Sequence, residues 1–266
     1  VVFLASLIAL ASPAHAHDFW VSADDYTLKE PGPTELGVMI GHAEDRTHWA
    51  YKPERVISLR KIGPDGLTDL QGSLPKDAAQ ATAAIDLAEV GLHMVVIETT
   101  HATSDLAADK FNDYVAEEGV TRISAYRAER SLEDQNGREI YSRRGKALLL
   151  VGDPDPAETG HVTTPIGMTL EVIPLASPYS VGDGEPLWFE IRYRGEPLEG
   201  AKVNLVSLDT SAGDVASVTT GPDGRGAFDK PSSGTWMMHT VWSAPIAGNP
   251  NGDFDTTFAS LSFGTQ

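Results

Sequence analysis

The chain has no cysteine among its 266 residues. Disulfides, thiolate metal sites and cysteine nucleophiles are therefore excluded, and any metal site must be built from histidine, carboxylate, methionine or backbone groups. Basic residues are scarce, 20 Lys+Arg against 38 Asp+Glu, for a formal net charge of −18. Such a surface repels phosphate backbones and anionic lipid, so no nucleic-acid partner is expected. Long apolar runs are missing after the first eleven residues, so the mature chain is expected to have no membrane span. Also missing are a Gly-x-Ser-x-Gly elbow, a phosphate-binding glycine loop and a dinucleotide fingerprint. Acidic residues are plentiful, but none forms a pair at a fixed spacing that would mark a glycosidase.

What is present begins with VVFLASLIALA over residues 1–11, broken by Ser12-Pro13 and followed by Ala14-His15-Ala16. An apolar run of this length with small residues at the cleavage positions reads as a secretory signal over residues 1–16, too short to span a bilayer. The expected location is periplasmic or secreted. Cleavage after Ala16 makes His17 the new N-terminus, where a free α-amine and its own imidazole offer two nitrogen donors to one metal ion. Cleavage after Ala14 instead would leave a histidine third from a free amine, which suits square-planar Cu(II) or Ni(II).

Glycine (25) and proline (17) are frequent, as in proteins with many turns. Alternation predicts strands near residues 17–21, 36–42, 56–62 and 92–100. Ser104-Asp105 predicts a helix start, with a helical insertion over about 104–134 that includes a second helix near 121–132. Residues 146–151 (KALLLV) predict a buried strand. The polar, proline-containing stretch 153–165 predicts a linker between a first domain (17–152) and a second (166–266). In the second, Leu187, Phe189, Ile191 and Tyr193 alternate with Trp188, Glu190, Arg192 and Arg194, and strands follow at 201–208, 234–243 and 257–263. The expected fold is mainly β, two β-sandwich domains, the later one immunoglobulin-like or transthyretin-like.

Of eight histidines, His42 and His101 each end an apolar strand face, and His17 sits on the first short strand. If those strands share a sheet, the three imidazoles and the terminal amine form a donor set for Ni, Co, Cu or Zn. His239 lies on a strand face with Met237 and Val241, opposite Trp236, Met238 and Trp242. His93 is expected as a hydrogen-bonded core residue, His48 as a loop residue packed by Trp49, and His161 as a solvated linker residue. Met237 and Met238 would favour Cu(I) as ligands, but methionine in a strand is ordinarily core filler.

Several segments together carry a resemblance. They are Ala14-His15-Ala16-His17-Asp18-Phe19-Trp20, Gly41-His42, Phe111-Asn112-Asp113-Tyr114 with Glu117-Glu118-Gly119 behind it, Arg138 to Arg143 leading into Gly145-Lys146-Ala147, Leu170 to Pro174 and the turn-strand from Gly195 to Val203. In these the chain resembles a periplasmic domain-of-unknown-function family described as nickel-uptake substrate-specific proteins, related to the periplasmic part of nickel and cobalt transporters. The part from Gly195 to Phe228 resembles a transthyretin-like or carboxypeptidase-regulatory module, a widespread fold that says little about function. The resemblance implies a metal role for His17 and His42, and for His101 and His239 after them, with a membrane transporter component as partner.

The expectation is a non-catalytic periplasmic protein holding a divalent transition metal (nickel or cobalt first, copper next, zinc as a further option) at His17, His42, His101 and His239. Two rivals stand beside it. One is a cell-surface module binding protein or carbohydrate through its sandwich; the other is a copper-dependent oxidase using an N-terminal histidine brace.

Overall fold

A computed structural model describes residues 18–42, 45–75, 80–153 and 160–265. In chain order the strands are β1 (Asp18–Ala23), β2 (Thr27–Leu28), β3 (Gly32–Gly41), β4 (Thr47–His48), β5 (Val56–Gly63), β6 (Gly66–Asp69), β7 (Thr82–Leu87), β8 (Gly91–Thr99) and β9 (Ala102–Leu106). Two helices follow, α1 (Ala108–Glu117) and α2 (Thr121–Glu129). Then come β10 (Gly137–Val151), β11 (Leu170–Pro174), β12 (Pro186–Tyr193), β13 (Glu196–Pro197), β14 (Lys202–Ser207), β15 (Asp214–Thr219), β16 (Arg225–Asp229), β17 (Gly234–Pro245) and β18 (Phe254–Thr265). The fold is mainly β, as the alternation predicts, and it is layered.

A ten-stranded sheet, ordered β15-β14-β17-β18-β10-β8-β5-β6 with β2 and β9 attached to β10, forms the middle. A four-stranded sheet lies on each face, one of β1, β3, β4 and β7, the other of β11, β12, β13 and β16. The sequence of β8 shows why. Leu92, Met94 and Val96 pack with Val172, Leu187, Phe189 and Ile191 of the later sheet. Val95 and Ile97, between them, pack with Phe19, Val38 and Ile85 of the earlier one. A strand buried on both faces reads as a nearly continuous apolar run, because each alternate residue needs its own apolar layer. By contrast, β12 alternates Leu187, Phe189 and Ile191, all buried, with Trp188, which is exposed. Around Trp188 the outer face of that sheet is open to solvent.

The two halves of the chain share the middle sheet. β18 pairs in parallel with β10, from Glu139 opposite Phe254 to Ala147 opposite Ser262. The 15-residue β10 is flanked by β9 and β8 along one edge. Its other edge would be left with unpaired backbone groups unless a strand from the later half filled it.

The helical insertion begins later than Ser104-Asp105 suggests. Residues 102–106 form β9, because Gly137 to Tyr141 offers them a strand partner, and that pairing overrides a local helix-start signal. α1 then buries Phe111, Tyr114 and Val115, which join Ile123 of α2 and Val241, Phe254 and Phe258 of the middle sheet. Gly137 lies directly beneath the Phe111 ring, where a Cβ would collide with it. The helices and the β1 sheet therefore cover the same face of the middle sheet side by side, and a seam runs between them. Among the described residues no helix is long and apolar enough to cross a membrane.

Candidate functional site

The seam holds a cluster of titratable side chains. Asp18 opens β1 and stands opposite Gly41, the last residue of β3. Gly41 has φ +130, and a Cβ there would meet the carbonyl of Asp45, so glycine is what permits the turn that carries His42 back over the start of β1. His42 Nδ1 lies 3.3 Å from Asp18 Oδ2. The other oxygen of the same carboxylate, Oδ1, lies 3.3 Å from His239 Nδ1. The second nitrogen of His239 reaches Asp214 Oδ1 at 3.4 Å. One buried carboxylate thus bridges two imidazoles, and a second carboxylate holds the far side of one of them.

Each member is placed by a different element. His239 comes from the middle of β17, on the face it shares with Met237 and Val241; Met237 packs under Trp20 and Val206, and Val241 packs under the helices. The alternation seen in the sequence is therefore the one observed, with Trp236, Met238 and Trp242 in the opposite core. Asp214 starts the edge strand β15. Arg46 ties the loop before that strand to the His42 turn, donating to the carbonyls of Ser207, Leu208 and Thr210. Glu118 follows α1, where Gly119 in the left-handed region (φ +68) ends the helix. Asn204 lies directly across from His239 in the β14–β17 register. It is buried, and its side-chain oxygen has no hydrogen-bond partner.

The charges are strongly coupled. Burial lowers the pKa of His239, but Asp18, Asp214 and Glu118 outweigh it and push it up to about 9. His42 is also raised, chiefly by its hydrogen bond to Asp18. Burial pushes Glu118 up to about 7, against the pull of His239. Asp214 is lowered, because His239, His42 and Lys202 together exceed its desolvation. The cluster sets two carboxylates, Asp18 and Asp214, against two imidazoles, with Glu118 adding an electrostatic pull on His239.

Of the residues proposed from the sequence, the structure brings His42 and His239 together on Asp18. His17 lies outside the described residues, next in the chain to Asp18. His101 stands apart: it pairs with Asp255 at 3.2 Å, and Asp255 is five positions along β18 from Ser260, the cross-strand partner of His239, roughly 16 Å at strand rise. Among the described residues, no group of three or more His, Asp or Glu is already arranged to hold a metal ion. His93 is a core residue as expected, fully buried, with Nε2 on the carbonyl of Glu89. His161 is half-buried, not solvated, and hydrogen-bonds the carbonyl of Leu92. Sequence reasoning missed Asp18, Asp214 and Glu118. Asp18 had a signal, its place beside His17, and Glu118 stood in a segment that carries the family resemblance; Asp214 had none, since no fixed spacing links it to a histidine.

Comparison with known proteins adds little at the level of activity. The D0-D1 domain of intimin is 10% identical, with 92% of this chain and 97% of that one covered and a TM-score of 0.23. A Salmonella alpha-2-macroglobulin mutant is 12% identical over 94% of this chain and 15% of that one, with a TM-score of 0.23. The fibronectin(III)-like modules of Clostridium thermocellum CbhA are 10% identical over 92% and 94%, with a TM-score of 0.20. Similarities this low carry no functional argument. No curated protein matches the chain. The family described as "Domain of unknown function (DUF4198)" matches residues 14–244, and with most of its length covered the chain belongs to that family.

Proposed function

We propose that the protein is exported, loses residues 1–16, and captures a divalent transition-metal ion as cargo at the seam. Nickel or cobalt comes first and copper next, delivered to a membrane transporter component. The observation that carries this reading is the Asp18 carboxylate bridging His42 and His239, immediately beside the histidine that cleavage would make N-terminal. His17, His42 and His239 would supply nitrogen donors, with Asp18 and Asp214 supplying oxygen. Such a sulfur-free set matches borderline divalent ions. The raised pKa of His239 supports the same reading. Two carboxylates hold an imidazole whose positive charge is a proton, and a divalent ion would displace that proton and serve the same carboxylates. His101 is left out of this set because it belongs to the Asp255 ion pair.

The test is calorimetric titration of Ni(II), Co(II), Cu(II) and Zn(II) into protein with a free His17 terminus, alongside His17→Ala, His42→Ala and His239→Gln variants whose folding is checked by circular dichroism. Stoichiometric binding that each variant weakens is the expected result. Binding that none of the three alters, or no stoichiometric binding, would overturn the proposal.

A further inference from the structure

On the opposite side of the molecule, the sheet of β11, β12, β13 and β16 opens part of its outer face to solvent. Trp188 stands there, 48% exposed, and it is the one aromatic among the large exposed apolar side chains of the described residues. Its cross-strand partner on β16 is Ala227, which carries only a methyl group. Trp188 lines a shallow open cavity of about 450 Å³ together with Leu175, Ala176, Pro186, Asp223 and Arg225.

The polar groups at this cavity have charged neighbours. Glu190, two residues along β12 and largely buried, holds Arg192 Nε at 2.7 Å and faces Arg225 Nε at 3.9 Å. Asp223 accepts from the backbone N–H of Arg225 at 3.2 Å, in the tight turn closed by Gly224 N–H on the carbonyl of Gly221. A flat aromatic surface thus lies beside one carboxylate acceptor and one guanidinium donor, 3.9 Å apart. A concave apolar patch with a few convergent polar groups is the usual form of a small-ligand site.

We propose that this cavity binds a neutral saccharide. A pyranose ring presents an apolar C–H face, which suits an exposed indole, and its rim of hydroxyls both donates and accepts, which suits Asp223 and Arg225 used together. A polyanion is disfavoured by the net charge of −18. The site is separated from the histidine cluster by the middle sheet and does not depend on the metal reading.

The test is titration of the protein with a panel of neutral oligosaccharides (gluco-, xylo-, manno- and N-acetylglucosamine oligomers), followed by calorimetry and by Trp fluorescence. Trp188→Ala, Asp223→Asn and Arg225→Met are run in parallel. Because Trp188 is half exposed, its loss leaves the core intact. Binding by at least one oligomer is expected, lost in Trp188→Ala and weakened about tenfold in each of the other two variants, the worth of one good hydrogen bond to a charged group. No binding across the panel, or binding that survives Trp188→Ala, would refute the assignment.

Discussion

The stability of the metal-free protein should fall as pH rises through the range in which His239 loses its proton. In the folded chain that proton is held to about 9, against 6.5 for an unperturbed imidazole. A histidine whose folded pKa is raised contributes stability that is fully present below the unfolded pKa and is lost as pH climbs through the folded one. The difference from 6.5 to about 9, at about 1.4 kcal/mol per pH unit, amounts to about 3 kcal/mol. Glu118 shifts in the same sense but lower down: its carboxyl is raised from 4.5 to about 7, so its loss of stability is largely complete by pH 7. Between pH 7 and 9.5, then, about 2 kcal/mol of decline belongs to His239. Urea unfolding of wild type and His239→Gln at several pH values, with linear extrapolation, measures it. The wild type should lose that amount and the variant should be nearly flat. An equal slope in both proteins, or a stability that rises over this range, would refute the assignment of the proton to His239 and with it the view that imidazolium balances Asp18, Asp214 and Glu118.

Other perturbations test separate parts of the structure. Lys146→Met should cost about 3–5 kcal/mol in denaturant unfolding, because it strands the buried carboxylate of Glu171; the lower end is expected, since backbone N–H groups of Ile166, Gly167 and Met168 also serve that carboxylate. Gly137→Ala should destabilise by about 1–3 kcal/mol as the new methyl displaces Phe111 and α1, read as a drop in thermal midpoint. Arg46→Ala should weaken metal binding about tenfold by freeing the loop at 207–210 from the His42 turn, seen in the same calorimetric titration. His101→Ala should leave metal affinity unchanged, because His101 is held by Asp255 away from the cluster.

Much of the β architecture was legible because alternation along one strand reports burial on one face. Leu187, Phe189 and Ile191 announced β12, and the pattern around His239 assigned its two faces correctly. The layering was not legible from such patterns. The run of β8 looks apolar throughout, and nothing in a single strand says that two different sheets will share its two sides. The parallel partnership of β10 with β18 joins residues more than a hundred positions apart, which no local signal encodes. The same limit governs the site. His42 and Asp18 were within reach of sequence reasoning, since both sit at ends of early strands. Asp214 and Glu118 arrive from an edge strand and a helix terminus, and only the folded sheet brings them to His239.

The pairing of β10 with β18 also bears on how the chain acquires its shape. The middle sheet cannot close until the final strand has been delivered, and Asp18 meets His239 only across most of the polypeptide. Native contacts of such long sequence separation make for slow, all-or-none folding. The contact between Asp18 and His239 therefore needs β1 and β17 to be in place together.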